Sequence, residues 1–254
     1  RSGLRMGHGE IRDAMFCDGL EDAESGHSMG VFAQETADRY QMTREGMDEF
    51  AIRSLSRAIR AMEEGSLERE IAPWGDVAED EQPRRAKPER IPKLRPAFKK
   101  DGTITAANAS SISDGASALV IAAPDRVGGG AEPLARIVAH ATHSTHPSRF
   151  AVAPVGAIRS VSDAAGWRLD DVDLFEINEA FAVVTMLAIN ELRLDASRVN
   201  IHGGACAQGH PLGSTGSRLL VTLSHALAAT GGKKGIAALC IGGGEANAVA
   251  IERD

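Results

Sequence analysis

The chain has 254 residues, is 43% apolar and 25% charged, and carries a formal net charge of −7. That is the composition of one large or two ordinary globular domains. The acidic balance argues against general affinity for nucleic acid or an anionic membrane, and there is no apolar run of about 18 residues to suggest a membrane helix.

No apolar segment of the signal-peptide kind heads the chain. Cys17, Cys206 and Cys240 are odd in number and far apart, so they imply no disulfide framework. A reducing, cytoplasmic setting is the expectation, with one or more thiols free for chemistry.

Residues 1–100 read as helical and irregular. A helix is predicted over 28–40. A second follows Thr43 as N-cap, with Met47, Ala51, Leu55, Ala58 and Met62 at helical spacing and Gly65 beyond its end. Residues 78–93 are charged and Pro-rich, an exposed loop. Arg84, Arg85, Lys87, Arg90, Lys93, Arg95, Lys99 and Lys100 make a local basic excess. It suits a phosphate-bearing ligand; a solvated face in a charged loop is the plainer alternative.

After the Asp101-Gly102 turn, short strands are predicted at 103–106 and 116–122, separated by a polar small-residue loop. Gly128, Gly129 and Gly130 read as a flexible joint. From residue 133 strands and helices alternate. Strands are expected at 134–141, 172–177, 199–202, 236–241 and 246–251, and helices at 155–165, 178–192 and 214–229. The implied fold class is α/β: a mixed, mostly parallel sheet covered by helices, beside a helical and irregular loop domain.

In such sheets chemistry gathers at strand C-terminal ends, where helices begin. Three polar loops compete for that place, at Asn178, His210 and Cys240. His210 lies in Gly209-His210-Pro211 before a helix N-terminus and is a candidate general base; a histidine satisfying a turn is the plainer alternative. Cys240 ends an apolar run before three glycines, either as a core residue or as a reactive thiol near an oxyanion-binding amide such as that of Gly242. Asn178 reads as a helix N-cap, or as an amide that holds a water or a carbonyl. His140, His143 and His146 do not converge as metal ligands on a strand and loop, so no metal is expected.

Three segments together resemble the thiolases: Asn178-Glu179-Ala180-Phe181, Gly209-His210-Pro211 with Gly213 and Gly216, and Cys240-Ile241-Gly242-Gly243-Gly244. Leu94-Arg95-Pro96-Ala97-Phe98 and Asn108-Ala109-Ser110 with Asp114-Gly115 match in the same order. The resemblance implies acyl-CoA chemistry, either thiolysis of a 3-oxoacyl-CoA or the reverse Claisen condensation. Coenzyme A and its thioesters are then substrates, and no covalent cofactor is implied. His210 would activate a nucleophilic cysteine, Asn178 would hold an oxyanion-hole water, Cys240 would be the second acid/base cysteine, and Gly242 would lend its amide to the other oxyanion hole. Ser110, Ala180 and Phe181 would touch the pantetheine arm. Arg84 would face the adenine, and Met29 would lie over the acyl pocket.

By the same resemblance, residues 1–101 form the CoA-binding loop domain. Residues 102–130 hold the last strands of an N-terminal half, and 131–254 form the C-terminal half. The family's nucleophilic cysteine belongs to an N-terminal region that this chain does not match, so that region is expected on the same or a separate chain and these residues alone are expected to be inactive. A homodimer or homotetramer is expected, without nucleic acid or membrane as partner. The rivals are a non-catalytic acyl-CoA-binding or assembly subunit and a ketoacyl-synthase-like condensing enzyme.

Overall fold

The structure, a computed structural model, describes residues 3–127 and 132–254. The triglycine joint at 128–130 lies outside the described residues. Helix α1 (Met29–Arg39) starts behind Ser28, and α2 (Arg44–Glu63) is capped by Thr43, whose hydroxyl oxygen accepts from the Gly46 amide. The helical spacing read from the sequence is realised: Met47, Ala51, Leu55 and Ala58 are buried. Helix α3 (Glu81–Arg85) is a single short turn in the charged loop.

Two predicted strands do not form. In the 103–106 segment Thr105 makes one isolated bridge to Pro96. Residues 116–122 lie outside any strand, with Val120 101% and Ile121 72% exposed. Strand-type sequence becomes a strand only when a neighbour takes its backbone groups, and none of the described residues does so here.

The second half delivers the alternation. It runs β1 (Arg136–Ser144), α4 (Ala153–Ala165), β2 (Leu174–Ile177), α5 (Ala182–Leu192), α6 (Ala205–Gln208), α7 (Leu212–Thr230), β3 (Lys234–Ile241) and β4 (Glu245–Glu252). The sheet order is β1-β4-β3-β2. Strands β2 and β3 pair parallel, while β4 is antiparallel to both its neighbours. Three of the four strands therefore run in one sense, and the β3–β4 hairpin inserts the reversed one between them. The predicted strand at 199–202 contributes only the bridge from Val199 to Phe175.

Period-two alternation sorts the sheet's faces. Ile236 and Ala238 pack with Ile158 and Val161 of α4 and Ala188 of α5, whereas Ala237 packs with Leu219, Leu223 and Leu227 of α7. Each of those leucines is at most 1% exposed, and burial of each contributes about 2 kcal/mol. The many alanines of β3 and β4 let both helical layers approach closely.

The 178–192 helix begins four residues later than predicted, at Ala182. The reason lies in the backbone. Asn178 N–H donates to Ala238 C=O, Ala180 C=O accepts from Ser110 N–H, and Ala182 N–H donates to Asn108 C=O. These groups are committed to β3 and to the 108–110 loop. Asn178 is therefore not a helix N-cap, and its side chain is free to face the His210 loop.

Candidate active site

His210 sits two residues before the first residue of α7. Gly209 ahead of it has φ +93°, and a Cβ there would come within 2.0 Å of Ser113 Oγ, so only glycine lets the loop pass. The His210 backbone N–H donates to Ser111 C=O. Its Nδ1 lies 2.6 Å from Thr215 Oγ1. The Thr215 hydroxyl donates to Pro211 C=O at 3.0 Å, so toward the imidazole it can only accept. Nδ1 therefore carries the ring proton, and Nε2 keeps its lone pair. That lone pair faces Asn178 Nδ2 at 3.2 Å. Burial, and then the positive charge of Arg218, push the imidazole down to about 4. At neutral pH it is an uncharged base with a fixed tautomer.

Cys240, near the end of β3, belongs to one apolar cluster with Met29, Ala109, Phe150, Ala180 and Ala182, and Phe181 packs against it. Phe181 stands edge-on to both Phe98, 6.0 Å between centroids, and Phe150, 6.2 Å. Ser110 Oγ donates to Ala180 C=O at 2.9 Å. Burial pushes the Cys240 thiol up to about 12, so at neutral pH it is a protonated thiol rather than a thiolate. Gly242 is exposed in the β3–β4 turn, with open space where a Cβ would stand.

The structure thus joins His210 to Asn178, and Cys240 to Met29 and Ala180. Arg84 stands apart: it is an exposed α3 residue paired with Glu79 at 3.1 Å. Of the other basic residues, Arg85 pairs with Glu81, and Lys99 with Asp38. Cys17 is exposed. Burial, and then the nearby Glu179 carboxylate, push the Cys206 thiol well up.

Comparison with known proteins matches residues 1–125 to "Thiolase, N-terminal domain" and 131–253 to "Thiolase, C-terminal domain". An acetyl-CoA acetyltransferase of Pseudomonas aeruginosa is 45% identical over 265 residues, covering 100% of this chain and 67% of that protein. The chain belongs to the thiolase family. It spans about two thirds of the length of such relatives. The crystal structure of the Bacillus anthracis acetyl-CoA acetyltransferase superposes with a TM-score of 0.92 at 40% identity, over 99% of this chain and 66% of that one. A thiolase from Ascaris suum in complex with coenzyme A gives 0.91 at 40% identity, over 100% and 67%. The α/β reading with a mixed sheet and helical cover agrees with these thiolase folds.

Several residues of this thiolase site escaped sequence reasoning. Thr215 orients the histidine, and its only signal is a hydroxyl in the first turn of α7. Glu179 is 1% exposed and binds three separate segments. It accepts from Ser54 Oγ on α2 at 2.7 Å, from Asn200 Nδ2 at 2.9 Å and from Cys206 N–H at 3.1 Å. A carboxylate in an otherwise small and apolar run was the available clue. Glu176 and the Arg218 guanidinium are likewise buried ionisable groups.

Proposed function

We propose that this chain carries the loop segment and C-terminal catalytic half of an acyl-CoA acyltransferase, which cleaves a 3-oxoacyl-CoA with CoA or runs the reverse Claisen condensation. The observation that carries the proposal is the His210 imidazole, held as its Nδ1–H tautomer by Thr215 with Nε2 turned toward Asn178. Residues 1–101 serve as the CoA-binding loop domain, 102–130 as the end of the N-terminal half and 131–254 as the C-terminal half.

In this reading a cysteine thiol gives its proton to His210 Nε2, and its sulfur attacks the 3-oxo carbon. The bond between carbons 2 and 3 breaks, leaving an S-acyl cysteine and the enolate of acetyl-CoA. The new Nε2–H, together with a water on the Asn178 amide, stabilises the enolate oxygen. The Cys240 thiol protonates carbon 2. Cys240 thiolate then takes the proton of CoA, whose sulfur displaces the acyl group from the cysteine, and the released cysteine sulfur takes back the Nε2 proton of His210. The Gly242 N–H lines the oxyanion hole of that second step. Met29 covers the acyl group, Ser110, Ala180 and Phe181 line the pantetheine path, and Arg84 meets the adenine.

The attacking cysteine fits none of the three thiols here. Cys240 and Cys206 are held protonated by burial, and Cys17 lies in the exposed stretch Phe16–Leu20. We place the nucleophile on a part of the protein beyond these residues, on the same or a separate chain. The working form is a cytoplasmic homodimer or homotetramer.

The test is thiolysis of acetoacetyl-CoA by the protein complete with its nucleophile, with CoA binding measured in parallel by calorimetry. His210→Ala should lower kcat/KM by about 10²–10⁴-fold while CoA still binds. Turnover within tenfold of the parent refutes the role of His210. Binding without any turnover in the parent turns the reading to a binding subunit.

A further inference from the structure

Behind His210 lie two buried ionisable side chains, Arg218 and Glu176, that the proposed chemistry does not use. Arg218 is on α7 between Thr215 and Thr222, and the spacing of three and four residues puts all three on one helix face. Thr215 holds His210, and Thr222 Oγ1 donates to Glu70 Oε1 at 2.9 Å. Opposite stand Glu176 and Asn178, two residues apart on and just beyond β2, hence on one side of that strand.

Among the described residues, the buried side-chain atoms without a protein partner all belong to this group: Arg218 Nε, Nη1 and Nη2, Glu176 Oε2 and Asn178 Oδ1. Glu176 is 2% exposed. Native proteins satisfy such atoms with internal water. The charged groups that feel the Arg218 guanidinium are Glu176 from β2, Glu179 from the segment after it, Glu70 and Asp80 from the loop across α7, and His210. Arg57 of α2 also faces Glu176. Arg218 thus shares a buried polar file with four carboxyl groups but makes a direct hydrogen bond to none of them.

We propose that Arg218 is a positioning residue for the His210 base: its guanidinium, bridged by internal water to Glu176, sets the field in which the imidazole stays uncharged. The role is electrostatic. A neighbouring positive charge disfavours the imidazolium, and in a buried site that effect is weakly screened. Thr215 fixes which nitrogen of His210 carries the proton, and Arg218 adds to burial in keeping a second proton off. Burial holds the Glu176 and Glu70 carboxyls protonated up to about 8 and about 7, so around neutral pH they offer the buried cation polar oxygens more than full negative charge and do not quench it. The inference rests on His210 being the base, but its test does not depend on turnover.

The test is long-range ¹H–¹⁵N NMR of ¹⁵N-histidine-labelled protein, with His210 assigned from the His210→Ala variant. In the parent, His210 should remain the neutral Nδ1–H tautomer down to about pH 5. In Arg218→Met its titration midpoint should rise by about one pH unit or more, while Arg218→Lys keeps the low midpoint. An unchanged midpoint in Arg218→Met, or an equal rise in Arg218→Lys, overturns the proposal. Should Arg218→Met not fold, a crystal structure of the parent decides: ordered waters bridging the guanidinium and Glu176 support it, and a direct ion pair overturns it.

Discussion

Removing the Glu179 carboxylate should loosen the site from below, and the size of the effect can be worked from its contacts. In Glu179→Ala the Cys206 N–H loses its acceptor, Ser54 Oγ–H and Asn200 Nδ2–H each lose one, and a small cavity opens. Each orphaned donor costs about 1–3 kcal/mol, offset in part because a buried carboxylate is no longer desolvated. Burial raises the carboxyl against the lowering by its hydrogen bonds, which is the sign of that desolvation. A net loss of about 3 kcal/mol is expected, a large share of ordinary stability. With a urea slope of about 2–3 kcal/mol per molar, the unfolding midpoint should fall by about 1–1.5 M. Glu179→Gln should lose less, because one oxygen remains while its NH₂ group faces a donor. Ser54→Ala should cost about 1 kcal/mol and couple with Glu179→Ala in a double-mutant cycle. The assay is equilibrium urea unfolding followed by circular dichroism. A midpoint for Glu179→Ala within about 0.3 M of the parent, or no coupling to Ser54, refutes the assignment of Glu179 as the tie between α2, Asn200 and α6.

Two further outcomes are expected. Thr215→Val removes the acceptor of His210 Nδ1–H and the donor to Pro211 C=O. It should cost about 1–3 kcal/mol and give a mixture of His210 tautomers by ¹⁵N NMR; a single retained Nδ1–H tautomer at unchanged stability argues against the role. Stability should also fall as pH rises. Burial holds the Glu176 carboxyl up to about 8 and the Glu70 carboxyl up to about 7. In the unfolded chain both titrate near about 4.3. Below that value both states keep the protons, and above it only the folded chain does, so stability drains through the two folded-state values. The urea midpoint should decline between about pH 5 and pH 9, and Glu176→Gln should flatten that decline. A midpoint that climbs over this window, or an equal slope in the variant, contradicts the burial argument.

What the sequence disclosed follows from the range of the forces involved. Periodicity and caps are local, so Thr43 before α2 and the helical spacing of Met47, Ala51, Leu55 and Ala58 were legible, and each stands where expected. The motifs around Asn178, His210 and Cys240 were legible as short runs of unusual composition. Strands are different, because their existence depends on partners far along the chain. Residues 116–122 and 199–202 have strand composition, yet the first finds no pairing and the second a single bridge. Illegible for the same reason was the network around His210. Thr215 could have been guessed five residues downstream. Arg218, Glu176 and Glu70 come from a helix, a strand and a distant loop, and only folding brings their charges into one place. A histidine in a glycine loop is common; His210 adds to that a fixed tautomer, a buried guanidinium on the helix behind it and an amide before it, and the proposed role in proton transfer is argued from those neighbours.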